Sequence, residues 1–432
     1  MKKIAVEMIR KGVKSADPER LVNKNIDVKD NIIKISDIEL NRDKYSKVLV
    51  FGIGKAAVSM ASGLEKINPD DGLIITKEGK VYEAHNSPVP IKEVSHPYPE
   101  KENIEAAEDI IKKIEDLENA LIIFLISGGG SALFSSPIEG ISISELNELN
   151  RLLVRSGANI HQINAVRKHI SRVKGGKFAK LCEKKGDLVS LIISDVVGDD
   201  LSVIASGPTY PDDSSFKDAK NILCDFDLWD KVSENIRDQI TNGIKSKVKE
   251  TPNSVKAYNF LIGNNMSALN GMKKYAKKHG LSPLILTSQN QGEAREVAKP
   301  YTSIAKEVQD TENPVEPPAA LIFGGEMTVT FESIDSESGK GGPNREFVLA
   351  SALEIDDREK IVVASADTDG IDGIEKAGAI ADPTSIKRSN MDAKEFLSTH
   401  STQDFFDSID DSIEFDSRTN VNDISVILID KK

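Results

Sequence analysis

The stretch KVLVFGIGKAAVSM, Lys47 to Met60, decides the fold of the first half of the chain. Val48–Phe51 is a short continuous apolar run, the pattern of a strand buried on both faces, and from Ala56 onward the pattern is helical. Between them, Gly52-Ile53-Gly54-Lys55-Ala56-Ala57 fits the G-x-G-x-x-G/A fingerprint of dinucleotide-binding loops, with Asp70 and Asp71 near the expected acidic position. A nicotinamide enzyme is one reading. The lysine inside the loop points to another, in which the loop serves a different phosphate.

The chain has 432 residues, enough for about two or three domains with full cores. No apolar stretch approaches the roughly 20 residues needed to cross a bilayer. The opening MKKIAVEMIRKGVKS lacks a signal-peptide core and predicts an amphipathic helix with Ile4, Met8 and Ile9 on one face. The two cysteines, Cys182 and Cys224, form neither a disulfide framework nor a zinc pattern, so a cytoplasmic location is expected. With 56 Lys and Arg against 69 Asp and Glu, the net charge of −13 disfavours nucleic-acid partners. It also makes each basic cluster more informative. Membrane partners are not expected, and a homodimer is the commonest assembly for such a chain.

Apolar runs at Val48–Phe51, Gly72–Thr76, Leu121–Ile126 and Leu188–Ile193 alternate with helical patterns, which predicts a largely parallel α/β sheet. A second set follows at Ala257–Ile262, Pro283–Thr287, Ala320–Phe323, Met327–Phe331, Ile361–Ser365 and Val426–Ile429. Two α/β domains are therefore expected, residues 1–250 and 251–432, with the Pro-rich DTENPVEPPAA (Asp310–Ala320) leading into the last part. In open α/β sheets ligands gather at the carboxyl ends of strands, so the loops there carry the chemical reading.

In LISGGGSAL a strand runs into Ser127, Gly128, Gly129, Gly130 and Ser131, a loop able to turn several N–H groups toward one anion. The alternative is a tight strand-to-helix turn. It is not a hydrolase elbow, because Leu133 stands where G-x-S-x-G requires glycine, and no Walker A motif occurs. INAVRKHISRVKGGKFAKL (Ile163–Leu181) surrounds an apolar stripe with Arg167, Lys168, Arg172, Lys174, Lys177 and Lys180, and Gly175-Gly176 adds a flexible turn. A solvated helix face and an anion site both fit that pattern. Asp195, just past a buried run, suits Mg²⁺, a hydroxyl proton or a turn cap. Arg345 stands in the first turn of a helix after the glycine run Gly339–Gly342, a placement that favours a phosphoryl group. Asp369 in DTDGIDG is a Mg²⁺ ligand or a turn former. The six histidines, His96 among them, show no metal-ligand spacing, and structural roles are their default.

Taken together and in order, FGIGKAA, SHPYPE, LISGGGSAL, INAVRKHISRVKGGKFA, SDVVGDDLSVIASGPT, GGEMTVTF, GKGGPNREF and DTDGIDG…AGAI strongly resemble the glycerate 2-kinase family, whose carboxyl-terminal part is the MOFRL domain. The likeness spans nearly the whole chain; one departure is the short Ile374-Glu375-Lys376 spacer between DGIDG and AGA. The resemblance implies a Rossmann-like domain and a second α/β domain containing the MOFRL region (about 318–425), with the active site in the cleft between them. It implies phosphorylation of the glycerate C2 hydroxyl, with ATP as donor and Mg²⁺ as cofactor. The family's loop lysine falls on Lys55 and its late arginine on Arg345. On this reading Lys55, Arg345 and Asp195 are catalytic, and Asp195 and Asp369 are metal candidates. Gly52, Gly54, Ser127–Ser131, Arg167, Lys174 and Asn344 then bind glycerate or ATP. Nicotinamide loops do not need a lysine, whereas phosphoryl transfer needs cations. The competing expectations are an NAD(P)H-dependent hydroxypyruvate reductase and a non-catalytic binder of small phosphorylated metabolites.

Overall fold

A strand covered on both faces must be apolar at every position, and the computed structural model places the two most apolar runs at the centre of a sheet. Residues 1–80, 87–330 and 339–431 are described. The chain divides into two compact units, Pro18–Ile262 and Met1–Asp17 with Gly263–Lys432. The boundary expected after residue 250 thus falls at 262/263, and the amino-terminal segment belongs with the carboxyl-terminal unit.

In the first unit the helix Pro18–Asn25 leads into a small antiparallel sheet, β1 (Ile26–Lys29), β2 (Ile32–Ile35) and β3 (Ile38–Asn41). Its four-residue strands are too short to register as apolar runs. The main sheet holds β4 (Val48–Ile53), β5 (Asp71–Lys77), β6 (Ile91–Val94), β7 (Ala120–Ile126), β8 (Gly186–Ile193) and β9 (Tyr258–Gly263), in the order β6-β5-β4-β7-β8-β9. The pairings β4/β5, β5/β6, β4/β7 and β7/β8 are parallel. All residues of β4 and β7 are buried.

From β4 the chain steps outward to β5 and β6, then returns to lay β7 on the other side of β4. The β4/β7 junction is therefore the topological switch point of the sheet, where a crevice opens at the carboxyl ends. Ile53 pairs with Ile126 in the register, so the loops leaving β4 and β7 emerge side by side. Phe124 of β7 anchors that end in an aromatic cluster with Phe134 and Phe178, ring centroids 4.5–5.9 Å apart. A separate helical core packs Leu146, Leu149 and Leu153 against Val166, Ile170 and Phe216. The helices Ile143–Arg155 and Ile160–His169 of that core both begin with capping boxes, Ser142 with Glu145 and Asn159 with Gln162.

The second unit holds β10 (Ser282–Glu293), β11 (Ala319–Thr328), β12 (Ile361–Asp367), β13 (Gly378–Ala381), β14 (Ser412–Ile413) and β15 (Asp423–Ile429), in the order β10-β11-β15-β12-β13-β14. Only β10/β11 is parallel; β11/β15, β12/β15, β12/β13 and β13/β14 are antiparallel, so this sheet is mixed. The two runs expected at Ala320–Phe323 and Met327–Phe331 are one strand, β11, through Thr328; Phe331 and His85 lie outside the described residues. The helix Lys2–Ser15 forms where its amphipathic pattern predicts and buries Ala5, Met8, Ile9 and Val13. A Cβ on its Gly12 would lie 2.9 Å from Met272 Cγ, so glycine permits the close approach to the helix Asn265–Lys278.

Candidate active site

The two glycine loops at the switch point differ in what their amides do. In the first, every N–H from Gly54 to Ala57 is already used. Gly54 donates to Ile75 O (3.2 Å), Lys55 to Gly128 O (2.8 Å) and Ala57 to Gly54 O (3.2 Å), and Ala56 donates to Ser127 Oγ (3.1 Å). Gly54 has φ +122°, and a Cβ there would lie 2.2 Å from Ser127 Oγ. A Cβ on Gly52 would lie 2.7 Å from Ile74 Cδ1. Gly52 and Gly54, expected to bind phosphate, instead admit the neighbouring strand and the second loop. Ser127, 1% exposed, is the staple between the loops.

The second loop is open. Among the described residues, the amides of Gly128 and Gly129 donate to no protein acceptor, while Gly130 N bonds back to Ser127 O at 3.3 Å. Adjacent unpaired N–H groups of this kind form a concavity suited to an anion. The helix that follows is one short turn, Gly130–Leu133, so these amides, not a long helix dipole, supply the positive potential. A Cβ on Gly128 would fall 1.8 Å from Asp195 Oδ2, and one on Gly129 would fall 3.1 Å from His96 Nε2 and 3.2 Å from Lys55 Cγ. Asp195, Lys55 and His96 therefore converge on the backbone of one loop. The Lys55 side chain makes no hydrogen bond among the described residues. Burial raises the Asp195 pKa and the Lys55 charge opposes that rise. Burial, then Lys55 and Lys77, push His96 down to about 4, so its ring is neutral near pH 7.

A cavity of about 360 Å³ opens beside this loop, entirely within the first unit. Its polar wall is Ser131, Lys174, Arg167 and Asn150, with His96 and Gly129. Lys174 Nζ donates to Ser131 Oγ (3.0 Å) and to Ser131 O. Ser131 Oγ lies 2.8 Å from Ser206 Oγ, which donates to Asn164 Oδ1 at 2.9 Å. Arg167 Nε donates to Asn150 Oδ1 at 2.7 Å. Burial, with Arg167 nearby, pulls Lys174 down to about 7.

Four of the six cations in the basic segment are committed elsewhere. Lys168 pairs with Asp212 (3.1 Å), Arg172 with Glu108 (2.5 Å), Lys180 with Glu183 (2.7 Å), and Lys177 donates to the carbonyls of Lys168 and Ser171. Gly175 and Gly176 spend their amides on Ser206 O and Gly207 O, so that turn is no anion nest. Arg167 and Lys174 remain as the cavity's cations.

In the second unit, three residues expected at the site make contacts within the protein. Arg345 is fully buried at the start of the helix Pro343–Glu354. Its Nε donates to Asp372 Oδ2 (3.2 Å), Nη1 to Gln403 Oε1 (2.8 Å), and Nη2 to Asp372 O (2.7 Å), Lys376 O (3.3 Å) and Glu375 O. That guanidinium ties down the short 374–376 spacer. Asn344, 1% exposed, bridges Asp423 Oδ1 (2.6 Å) and Asp372 Oδ1 (3.2 Å). Asp369 Oδ1 accepts from Ile371 N at 2.9 Å, the turn-forming alternative. Sequence reasoning missed the facing pair Asp367 and Asp423, opposite each other across β12 and β15. Burial, then each carboxylate's acidic neighbours, raise both, Asp423 to about 7.

His96 was also missed as a site residue. The signal available was positional, because SHPYPE directly follows β6 at the carboxyl edge of the parallel sheet. Among the described residues no group of three or more metal-ligating side chains is gathered, and no helix is long and apolar enough to cross a membrane.

The chain thus holds a doubly wound unit, with a glycine loop of unpaired amides at its switch point, and a mixed α/β unit. A family model for a domain of unknown function, DUF4147, matches residues 4–241, and the MOFRL family model matches residues 319–423. The glycerate 2-kinase of Pyrococcus horikoshii is 39% identical over all of this chain and 98% of its own. A crystal structure of Thermotoga maritima glycerate kinase superposes with a TM-score of 0.88 at 33% identity, covering 99% of both chains. An Agrobacterium vitis protein provisionally named a hydroxypyruvate reductase is 38% identical over 89% of this chain and 99% of its own. The chain belongs to the glycerate 2-kinase family, with a DUF4147 region followed by MOFRL.

Proposed function

We propose that the protein phosphorylates the C2 hydroxyl of glycerate, with ATP as donor and 2-phosphoglycerate and ADP as products. The observation that carries this reading is the convergence of Lys55 and Asp195 on the free amides of Gly128 and Gly129, in a chain related end to end to glycerate kinases. Phosphoryl transfer asks a protein mainly to position reactants and neutralise charge. The Gly128 and Gly129 amides and the Lys55 ammonium hold the oxygens of the transferring group. Asp195 orients the C2 hydroxyl and receives its proton as that oxygen bonds to phosphorus and the bridging oxygen leaves with ADP. A carboxylate whose pKa is raised by burial suits that task.

Mg²⁺ fits this site. It commonly takes one or two carboxylates, with substrate phosphates and water completing its shell. The Asp195 carboxylate lies against the Gly128 backbone, with no hydrogen bond to another described residue, and would hold the ion. The ion would supply neutralisation of the donor phosphates.

The reductase reading rests on the Gly52 fingerprint and on the name of the Agrobacterium relative. The amides a pyrophosphate would need in that loop are bonded to Ser127, Gly128 and Ile75, which counts against it. The test is to incubate purified protein with D-glycerate, ATP and Mg²⁺ and identify the product, beside a reaction of hydroxypyruvate with NADH. Formation of 2-phosphoglycerate without NADH oxidation is expected. NADH oxidation without phosphorylation would overturn the reading.

A further inference from the structure

The cavity beside the second glycine loop is larger and greasier than glycerate needs. Glycerate carries an oxygen on each of its three carbons, so it has no apolar face to bury. The cavity, by contrast, is walled on one side by Leu146 and Val154, with Tyr98 and Ile170. Leu146, Asn150 and Val154 are spaced by four along the helix Ile143–Arg155 and so form one stripe of it. Tyr98 and Val154 are 53% and 63% exposed, large apolar groups left in water at the cavity's edge. Stripe and cations adjoin, because Asn150, one turn from Val154, holds Arg167. From Arg167 the wall continues through Lys174 and Ser131 to Gly129, which touches Lys55.

We propose that this cavity is the donor nucleotide's subsite, with the base and ribose against Tyr98, Leu146 and Val154, and the phosphates running along Arg167 and Lys174 to the Gly128–Gly129 amides. A nucleoside has the flat apolar faces that such walls cover, and ligand sites are characteristically apolar with a few placed polar groups. A tail of phosphates needs cations in sequence, and the wall supplies them in the direction of the reacting loop. The assignment rests on the kinase reading and leaves glycerate to the Asp195 side of the loop.

Calorimetric titration with Mg-ADP and, separately, with D-glycerate tests it. Val154→Asp alters an exposed position and Tyr98→Ala an exposed loop ring, so both variants keep the fold. Each is expected to weaken ADP binding about tenfold or more while glycerate binding stays within about twofold. Unchanged ADP affinity in both variants, or loss of glycerate affinity in place of ADP affinity, would overturn the proposal. The kinase reading fails separately: wild-type protein that binds ADP at a Val154-sensitive site yet forms no phosphoglycerate would sink that reading and leave the subsite standing.

Discussion

Lys55 and Arg345 look alike in the sequence: each is a cation just after a glycine-rich turn that leads into a helix. In the structure they do opposite things. The Lys55 side chain lies against Gly129 beside Asp195 and His96, with no hydrogen bond among the described residues. Arg345 is wholly buried and spends its donors on Asp372, Gln403 and the backbone of 372–376. A guanidinium has five N–H groups in a fixed fork and can organise a loop by itself; an ammonium on a flexible stem is easier to leave available for a ligand. Glycine followed by a cation therefore marks a place where backbone and charge meet. Whether the charge faces a ligand or the protein depends on what the rest of the fold brings to it.

Four measurements press on this contrast, from the largest effect to the smallest. Arg345→Ala leaves Asp372 buried without its cation, which for a broken buried pair costs about 3–5 kcal/mol. Thermal unfolding should begin markedly earlier, and a variant that melts like wild type but does not turn over would restore Arg345 to the chemistry. Lys55→Ala should do the converse. Loss of a transition-state cation lowers turnover roughly 10²-fold or more, about 2.7 kcal/mol, with little change in melting temperature.

Lys174 gives a pH signature. Its pKa is lowered to about 7 in the free protein, so it is charged below that pH and progressively neutral above it. Anion affinity in the cavity should fall as pH rises from 7 toward 9, by at most about tenfold per unit. Lys174→Met should bind weakly and without that slope, as read by calorimetry at several pH values. Smallest is Ser127→Ala, which removes the acceptor of the Ala56 amide and should cost about 1–3 kcal/mol of stability, at the low end if water replaces the hydroxyl.

Much of the architecture was legible because burial on both faces forces continuous apolar runs. β4, β5, β7, β8 and β12 stand where Val, Ile and Leu cluster. β1–β3, β6 and β13–β14 were not seen, being two to four residues long and carrying no such run. The antiparallel pairings of the second sheet were equally invisible, since a buried strand reads the same in either direction. At the site, the sequence singled out the loops after β4 and β7 as candidates, and the strand register sets them side by side. It could not show that Ser127 consumes the first loop's amides, because a hydrogen bond between residues 71 positions apart leaves no local pattern. His96 was passed over for the same reason: its neighbours Gly129 and Lys55 are distant in sequence.

Gly128→Ala tests the centre of this account most directly. Its Cβ would stand 1.8 Å from Asp195 Oδ2, in a backbone conformation that does not require glycine, so the carboxylate must move while the fold can remain. Turnover of D-glycerate and ATP to 2-phosphoglycerate should fall at least about 10²-fold at an almost unchanged melting temperature. Near-native turnover in that variant would mean that the Asp195 carboxylate over the Gly128–Gly129 loop is not where phosphoryl transfer takes place.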